Sequence, residues 1–358
     1  MTMRNILILI ICLTLFSCDG QKGNKDSNRS QGLPPSQGQS NEVLVVMDTM
    51  EWNGPLGRQI REVFGSQIPL LPQPEPYFKL RNINPLEFNT VLQKSKNIIF
   101  VTTFDVNSAQ TRRLKKNFTE ASLEKIRQEP DVFKLIKKDE FARDQIVLHL
   151  FGETSEDLIQ HLEENEDDLL EMLVLLEQKR LRQEIYGENY AKDIAETAKK
   201  QHGFTIRYPF GYQIAENKED FFWVRDRSAQ TDKNIWVTYK PYTNESQFQP
   251  DSILSWRAEV AQKYILGNEN PDSYMITEMQ VEPSFAELNF NDLYAIETRG
   301  LWRLKSVIMG GPFLSYTFVN EEQGRIYYIE GFIYSPGTKK GRLIKEIEVI
   351  LHTFEAAK

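Results

Sequence analysis

The first eighteen residues constrain this chain most, because they set where the rest of it folds. Arg4 supplies a positive start, and Ile6 to Phe16 form an apolar run broken only by Thr14. A run of that length falls short of the about 20 residues needed to cross about 30 Å of hydrocarbon. It reads instead as the apolar core of a secretory signal, ending in Leu15-Phe16-Ser17-Cys18. Cleavage before Cys18 defines a leader over 1–17. Cys12, the other of the two cysteines, leaves with that leader.

Leu15-Phe16-Ser17-Cys18 resembles the lipobox of bacterial lipoproteins. The resemblance implies that the Cys18 thiol takes a diacylglyceryl group and that the freed amine is acylated. Several buried chains, at about 0.8 kcal/mol per methylene, hold a protein firmly to a membrane. The body then has no free thiol and no disulfide. Asp19 to Ser40 is rich in Gly, Ser, Gln, Asn and Lys, so 18–40 is expected to be a flexible tether. These 22 residues reach about 70 Å when extended at about 3.3 Å each. In such lipoproteins an aspartate directly after the cysteine retains the anchor in the inner membrane of some bacteria, whereas an acidic cluster there goes with surface export. Asp19 is the only acid close behind Cys18, so the periplasmic face is favoured, and the expected place is the outer membrane facing the periplasm.

Length suggests two domains, and 40% hydrophobic with 26% charged residues is ordinary for folded protein. That composition excludes collagen-like, wholly disordered and multi-spanning chains. A net charge of -8 argues against a nucleic-acid partner, which needs an excess of Lys and Arg. The pattern predicts an α+β protein. Residues 41–190 form an α/β domain with a partly parallel sheet, and 203–358 form a mostly antiparallel domain with helices. The polar stretch Ala191 to His202 marks the boundary.

In the first domain, Glu42 to Met47, Asn97 to Thr103 and Gln145 to Phe151 are near-continuous apolar runs, as in strands buried on both faces. Pro55 suits the first turn of a helix whose Leu56, Ile60, Val63 and Phe64 face inward. The closely spaced prolines of Leu71 to Pro76 demand an extended connector. A long helix runs from a cap at Thr154 or Ser155 to Gly187, with Leu158, Leu162, Leu169, Leu173 and Leu176 inward. In the second domain, strands are expected at Phe204–Tyr208, Tyr212–Ala215, Phe221–Arg227, Asn234–Tyr239, Tyr274–Val281, Leu293–Lys305, Phe313–Val319 and Arg325–Tyr334. A helix over Asp251–Leu266 places Leu254, Ala258, Ala261 and Ile265 on one face, and Thr338 caps a last helix.

Together, the lipobox, the tether, Asn41 to Asp48, Trp52-Asn53-Gly54-Pro55 and Leu71 to Pro76 resemble an uncharacterised lipoprotein family of the Bacteroidota, a domain of unknown function. That resemblance implies a cell-envelope location and no chemistry. The second half, from Gly203-Phe204 through Ile206, Tyr208 and Pro209 to Ile350-Leu351-His352-Thr353-Phe354, is similar to the extrinsic oxygen-evolving proteins of photosystems. It implies an α-β-α sandwich used for assembly or binding, an inference from fold alone.

Motifs for catalysis are weak. There is no Gly-x-Ser-x-Gly elbow and no His-Glu-x-x-His, and His149, His161, His202 and His352 read as packed or surface residues. No catalytic residue, metal or cofactor is assigned. Gly54 and Gly57 lie between strand and helix, where an anion could sit, and Gly310-Gly311 reads as a turn. The acids Glu163, Glu164, Asp167, Asp168 and Glu171 read as a solvated helix face, and Arg112 to Lys116 as a solvated basic loop. Topology supplies the best ligand site. If the strands ending at Asp48 and Thr103 are parallel neighbours, Asp48, Trp52, Asn53, Thr102, Thr103 and Asp105 gather where open α/β sheets bind ligands. The plainer role is for Asp48 to cap the next turn and Trp52 to pack it down. Thr49 and Ser252 match a short Asp-Ser/Thr-apolar pattern for O-glycosylation. The expectation is a lipid-anchored, non-enzymatic binding or assembly module with an envelope protein or glycan as partner. The alternative is an envelope hydrolase or carbohydrate-active enzyme whose carboxylates meet only across the fold.

Overall fold

The computed structural model describes residues 32–357 apart from 130, 188, 268 and 269. The expected leader, Cys18 and the start of the tether lie outside the described residues. The chain joins the body before Asn41: Pro35 bridges Arg143 and Gln37 bridges Ser95 in short parallel contacts.

The first lobe contains β1 (Glu42–Val46), α1 (Thr49–Asn53), α2 (Pro55–Phe64), β2 (Lys79–Ile83), β3 (Asn97–Thr103), α3 (Ala109–Lys115), α4 (Glu120–Gln128), β4 (Lys134–Lys138), β5 (Ile146–Gly152), α5 (Ser155–Glu164) and α6 (Glu166–Tyr186). The sheet runs β2-β1-β3-β5-β4, parallel except for β4. β3 and β5 are buried along their full length, because the sheet is covered on both sides. Val43, Val45, Ile99 and Val101 pack under α2, α5 and α6, while Val46, Ile98 and Phe100 face Leu114 of α3.

The expected long helix is two. Thr154 and Asp157 close a capping box at α5, and the chain breaks at Asn165 before α6 starts. Arg112 to Lys116 is largely helix rather than loop, because Thr111 and Leu114 turn inward and Ser108 caps α3. β2 and β4 were not expected from the sequence. Both are edge strands with charged residues, whose polarity hides the strand pattern while protecting the open edge.

The second lobe begins with α7 (Lys192–His202), so the polar boundary stretch is a helix. Ile194, Ala195, Ala198 and His202 form its buried face, a pattern masked by the lysines between them. Then come β6 (Phe204–Thr205), β7 (Gln213–Lys218), β8 (Phe221–Arg227), β9 (Asp232–Pro241), α8 (Pro250–Tyr264), β10 (Leu266–Gly267) and β11 (Asn270–Thr277). β12 (Ser284–Phe290), β13 (Leu293–Leu304), β14 (Gly310–Asn320), β15 (Arg325–Tyr334), α9 (Gly341–Leu351) and β16 (Glu355–Ala356) complete it. The main sheet is antiparallel throughout, ordered β10-β11-β13-β14-β15-β9-β8-β7 with β12 also on β13.

Alternation along β15 sends Tyr327, Ile329 and Ile333 to α9 on one face. It sends Ile326, Tyr328 and Phe332 to α8 on the other. Helices thus cover both faces, as an α-β-α layering requires. Gly310 and Gly311 lie inside β14, not in a turn: a Cβ on Gly311 would sit 2.0 Å from the Ile333 carbonyl. The inner face of α8 is Ile253, Trp256, Arg257, Val260 and Ala261, so Ala258 points outward, contrary to expectation.

Candidate functional site

The carboxyl edge of the parallel sheet is where the sequence placed a ligand. β1 and β3 are parallel neighbours, with Val46 opposite Phe100, so Asp48 and Thr103 emerge side by side. The protein's own polar groups fill that edge. Asp48 caps α1 by accepting from the Met50 amide at 2.8 Å, and it also accepts from the hydroxyls of Ser108 and, at 3.4 Å, Thr111. Thr49 donates through its amide and hydroxyl to Gln110 Oε1 at 2.9 and 3.1 Å. Thr102 and Thr103 are buried. Asp105 accepts from the Val106 amide at 2.9 Å, and the Ser155 hydroxyl donates to Glu51 at 2.6 Å.

Trp52 is tied to α2 through Arg61. Arg61 lies 4.6 Å above its ring and donates to its carbonyl at 2.8 Å. Asn53 donates to the Thr49 carbonyl at 2.9 Å. Gly57 permits the close approach of α2 to α1, since a Cβ there would meet the Trp52 carbonyl at 1.9 Å. Gly54 ends α1 and starts α2 with Pro55 behind it. Ser252 is half-buried in the first turn of α8. The described edge is therefore held by structural bonds.

The opposite, amino-terminal edge of the same sheet faces the second lobe and opens into a cleft of about 440 Å³. Gly38 to Asn41 form one wall, leading into β1. Lys79 opens β2, Lys96 precedes β3, and Glu177 comes from α6. Lys345 of α9 reaches in from the second lobe. Glu75, in the proline-rich connector, fixes the geometry: its carboxylate accepts from the Lys340 and Gly341 amides at 2.6 and 3.0 Å. A carboxylate on the first amides of α9 satisfies donors that have no intrahelical partner and meets the positive end of the helix dipole. This is the cap that Thr338 was expected to provide. Lys345 adds a second tie by donating to the Tyr77 carbonyl at 2.9 Å.

Glu177 is 6% exposed. Its Oε1 accepts from Asn97 Nδ2 at 3.0 Å and from Arg180, whereas its Oε2 is buried and has no hydrogen-bond partner. Burial pulls the Lys345 ammonium below its usual range, although Glu177 and Glu348 pull it back up. Burial likewise pushes the Tyr77 phenol up, partly offset by Arg299.

None of these cleft residues was singled out from sequence. One signal was present. Leu169, Leu173, Glu177 and Leu181 recur at four-residue spacing, which puts an acid in the buried row of α6.

Comparison with known families follows the same division into lobes. Residues 36–186 match a family model described as Domain of unknown function (DUF8532), and 191–353 match another, Domain of unknown function (DUF4837). Each half of the chain is thus similar to a family model of unknown function. The seam between the matches lies where α6 gives way to α7. No curated protein matches the chain. Among solved structures, a point mutant of the protein Mog1 shares 9% identity over 44% of this chain and 92% of its own, with a TM-score of 0.28. The Ran-binding protein Mog1p of Saccharomyces cerevisiae shares 10% over 44% and 91%, with the same TM-score. Similarity at this level fixes neither fold nor function.

Proposed function

We propose that this is a lipid-anchored protein of the cell envelope, held through Cys18 at the periplasmic face of the outer membrane, that binds a ligand between its lobes without transforming it. The interlobe cleft carries this reading: two lobes joined through Glu75 present polar side chains from both sides to one cleft. Small-molecule sites favour such junctions, and the volume falls in their usual range. Three carboxylates of the second lobe are tied up in ion pairs with arginines. Glu330 is held by Arg257 at 2.7 and 2.8 Å, and Glu297 and Glu348 share Arg299 at 2.6 to 3.1 Å.

Anchoring is tested by fractionating cells that express Cys18→Ala. The variant should appear in the soluble fraction, and its retention on membranes would remove the lipid from the account. Binding is tested by thermal unfolding with the dialysable fraction of an envelope extract. The wild type should gain several degrees, since a ligand at about 100 times its Kd adds about 2.7 kcal/mol. Gln178→Trp, which fills the cleft, should gain nothing. An equal gain in that variant would place the ligand elsewhere.

A further inference from the structure

We infer that the cleft receives a zwitterionic ligand, one that carries a protonated amine and a carboxylate, as amino acids and short peptides do. This rests on the cleft being the binding site. Glu177 Oε2 is a buried acceptor without a donor, on a carboxylate whose other oxygen is fixed by Asn97 and Arg180. Leaving such a group unpaired is costly, and the side chain lines the cleft. An ammonium is its best complement, because hydrogen bonds between charged partners are roughly twice as strong as neutral ones.

The other pole is cationic. Lys79, Lys96 and Lys345 line the same space, and none appears in an ion pair among the described residues. Lys96 donates to Ser40 Oγ at 3.3 Å and Lys345 to the Tyr77 carbonyl, so each ammonium keeps hydrogens for a further acceptor. The other lining acids are committed, Glu75 to the amides of α9 and Glu184 to Arg342 at 2.8 Å. A neutral sugar would leave Lys79 and Lys96 without a counter-charge. A phosphate alone would set an anion against Glu177. A molecule with both charges satisfies both poles.

Calorimetric titration of the full chain in detergent tests this with trialanine, N-acetyl-trialanine, trialanine amide and L-alanine as probes. Trialanine or L-alanine should bind, and whichever is tighter tells a peptide site from a free amino-acid site. Acetylating the amine and amidating the carboxylate should each weaken trialanine at least tenfold. Glu177→Gln should erase the penalty for acetylation. Lys79→Ala, at an exposed position that the fold does not need, should shrink the penalty for amidation. Equal binding of trialanine and its N-acetyl form, or unchanged discrimination in both variants, overturns the proposal. If no probe binds while the envelope extract still stabilises the wild type but not Gln178→Trp, the zwitterion falls and the cleft stands. If the extract also fails, both fall.

Discussion

Asp48 shows how one carboxylate can suit two roles until its neighbours are known. It follows a parallel strand, where a ligand-binding acid would stand, yet it is 4% exposed and its oxygens serve Met50, Ser108 and Thr111. Removing it strips a helix cap, worth about 0.5–2 kcal/mol, and takes an acceptor from the buried Thr111 hydroxyl, a loss of up to about 1–3 kcal/mol. Asp48→Ala should therefore lower the urea midpoint by an amount equivalent to about 2 kcal/mol at unchanged m-value, while affinity at the cleft is kept. Full stability with lost binding would return Asp48 to a ligand site. The sequence could place Asp48 beside Thr103 because strand spacing suffices for that. It could not show Ser108 and Thr111 arriving from α3, because no periodicity encodes which hydroxyl meets which acid.

At the level of elements, legibility followed burial. β1, β3 and β5 were plain as apolar runs, and the long inner strands of the second lobe were plain through alternation. The unforeseen strands β2, β4 and β12 lie at sheet margins, where exposed polar residues break the pattern. The register of α8 was missed because Arg257 belongs to its inner face, which no apolar count anticipates. Its side chain is fully buried, donates to Glu330 twice and to Thr277 at 3.0 Å, and lies 4.0 Å over Phe313. Glu330 in turn accepts from Tyr328 at 2.5 Å. The readable clue was on β15, where Glu330 alternates inward with Ile326, Tyr328 and Phe332. Breaking a buried pair costs more than replacing it, about 3–5 kcal/mol for the loss of one partner. Arg257→Met should show that loss in chemical denaturation, and adding Glu330→Leu should recover much of it. A double variant no more stable than the single one would mean that the pair itself holds α8 on the sheet.

For the molecule as a whole, the decisive contact comes from a segment without regular structure. The proline-rich connector is not the extended segment expected from its sequence but folds back on itself: Gln67 bridges Pro76 in antiparallel fashion, and the Ile68 amide donates to the Glu75 carbonyl at 2.8 Å. That fold-back delivers Glu75 to the start of α9, across a sequence separation of 265 residues to Lys340. Gly341 makes room for it, since a Cβ there would lie 2.9 Å from Glu75 Oε2. One carboxylate thus caps the helix of the second lobe while belonging to the first, so the stability of α9 depends on the lobes staying together. A charge at a partly buried helix end contributes up to about 2 kcal/mol. In calorimetry the wild type should therefore melt in one transition. Glu75→Ala should split it in two, the second lobe melting first, and should weaken binding at the cleft whose walls it aligns. Glu75→Gln, which keeps one acceptor oxygen and loses the charge, should fall between them. A single Glu75→Ala transition at the wild-type temperature would show that the lobes are coupled through the remaining α6–α9 contacts, and that Glu75 only ends a helix.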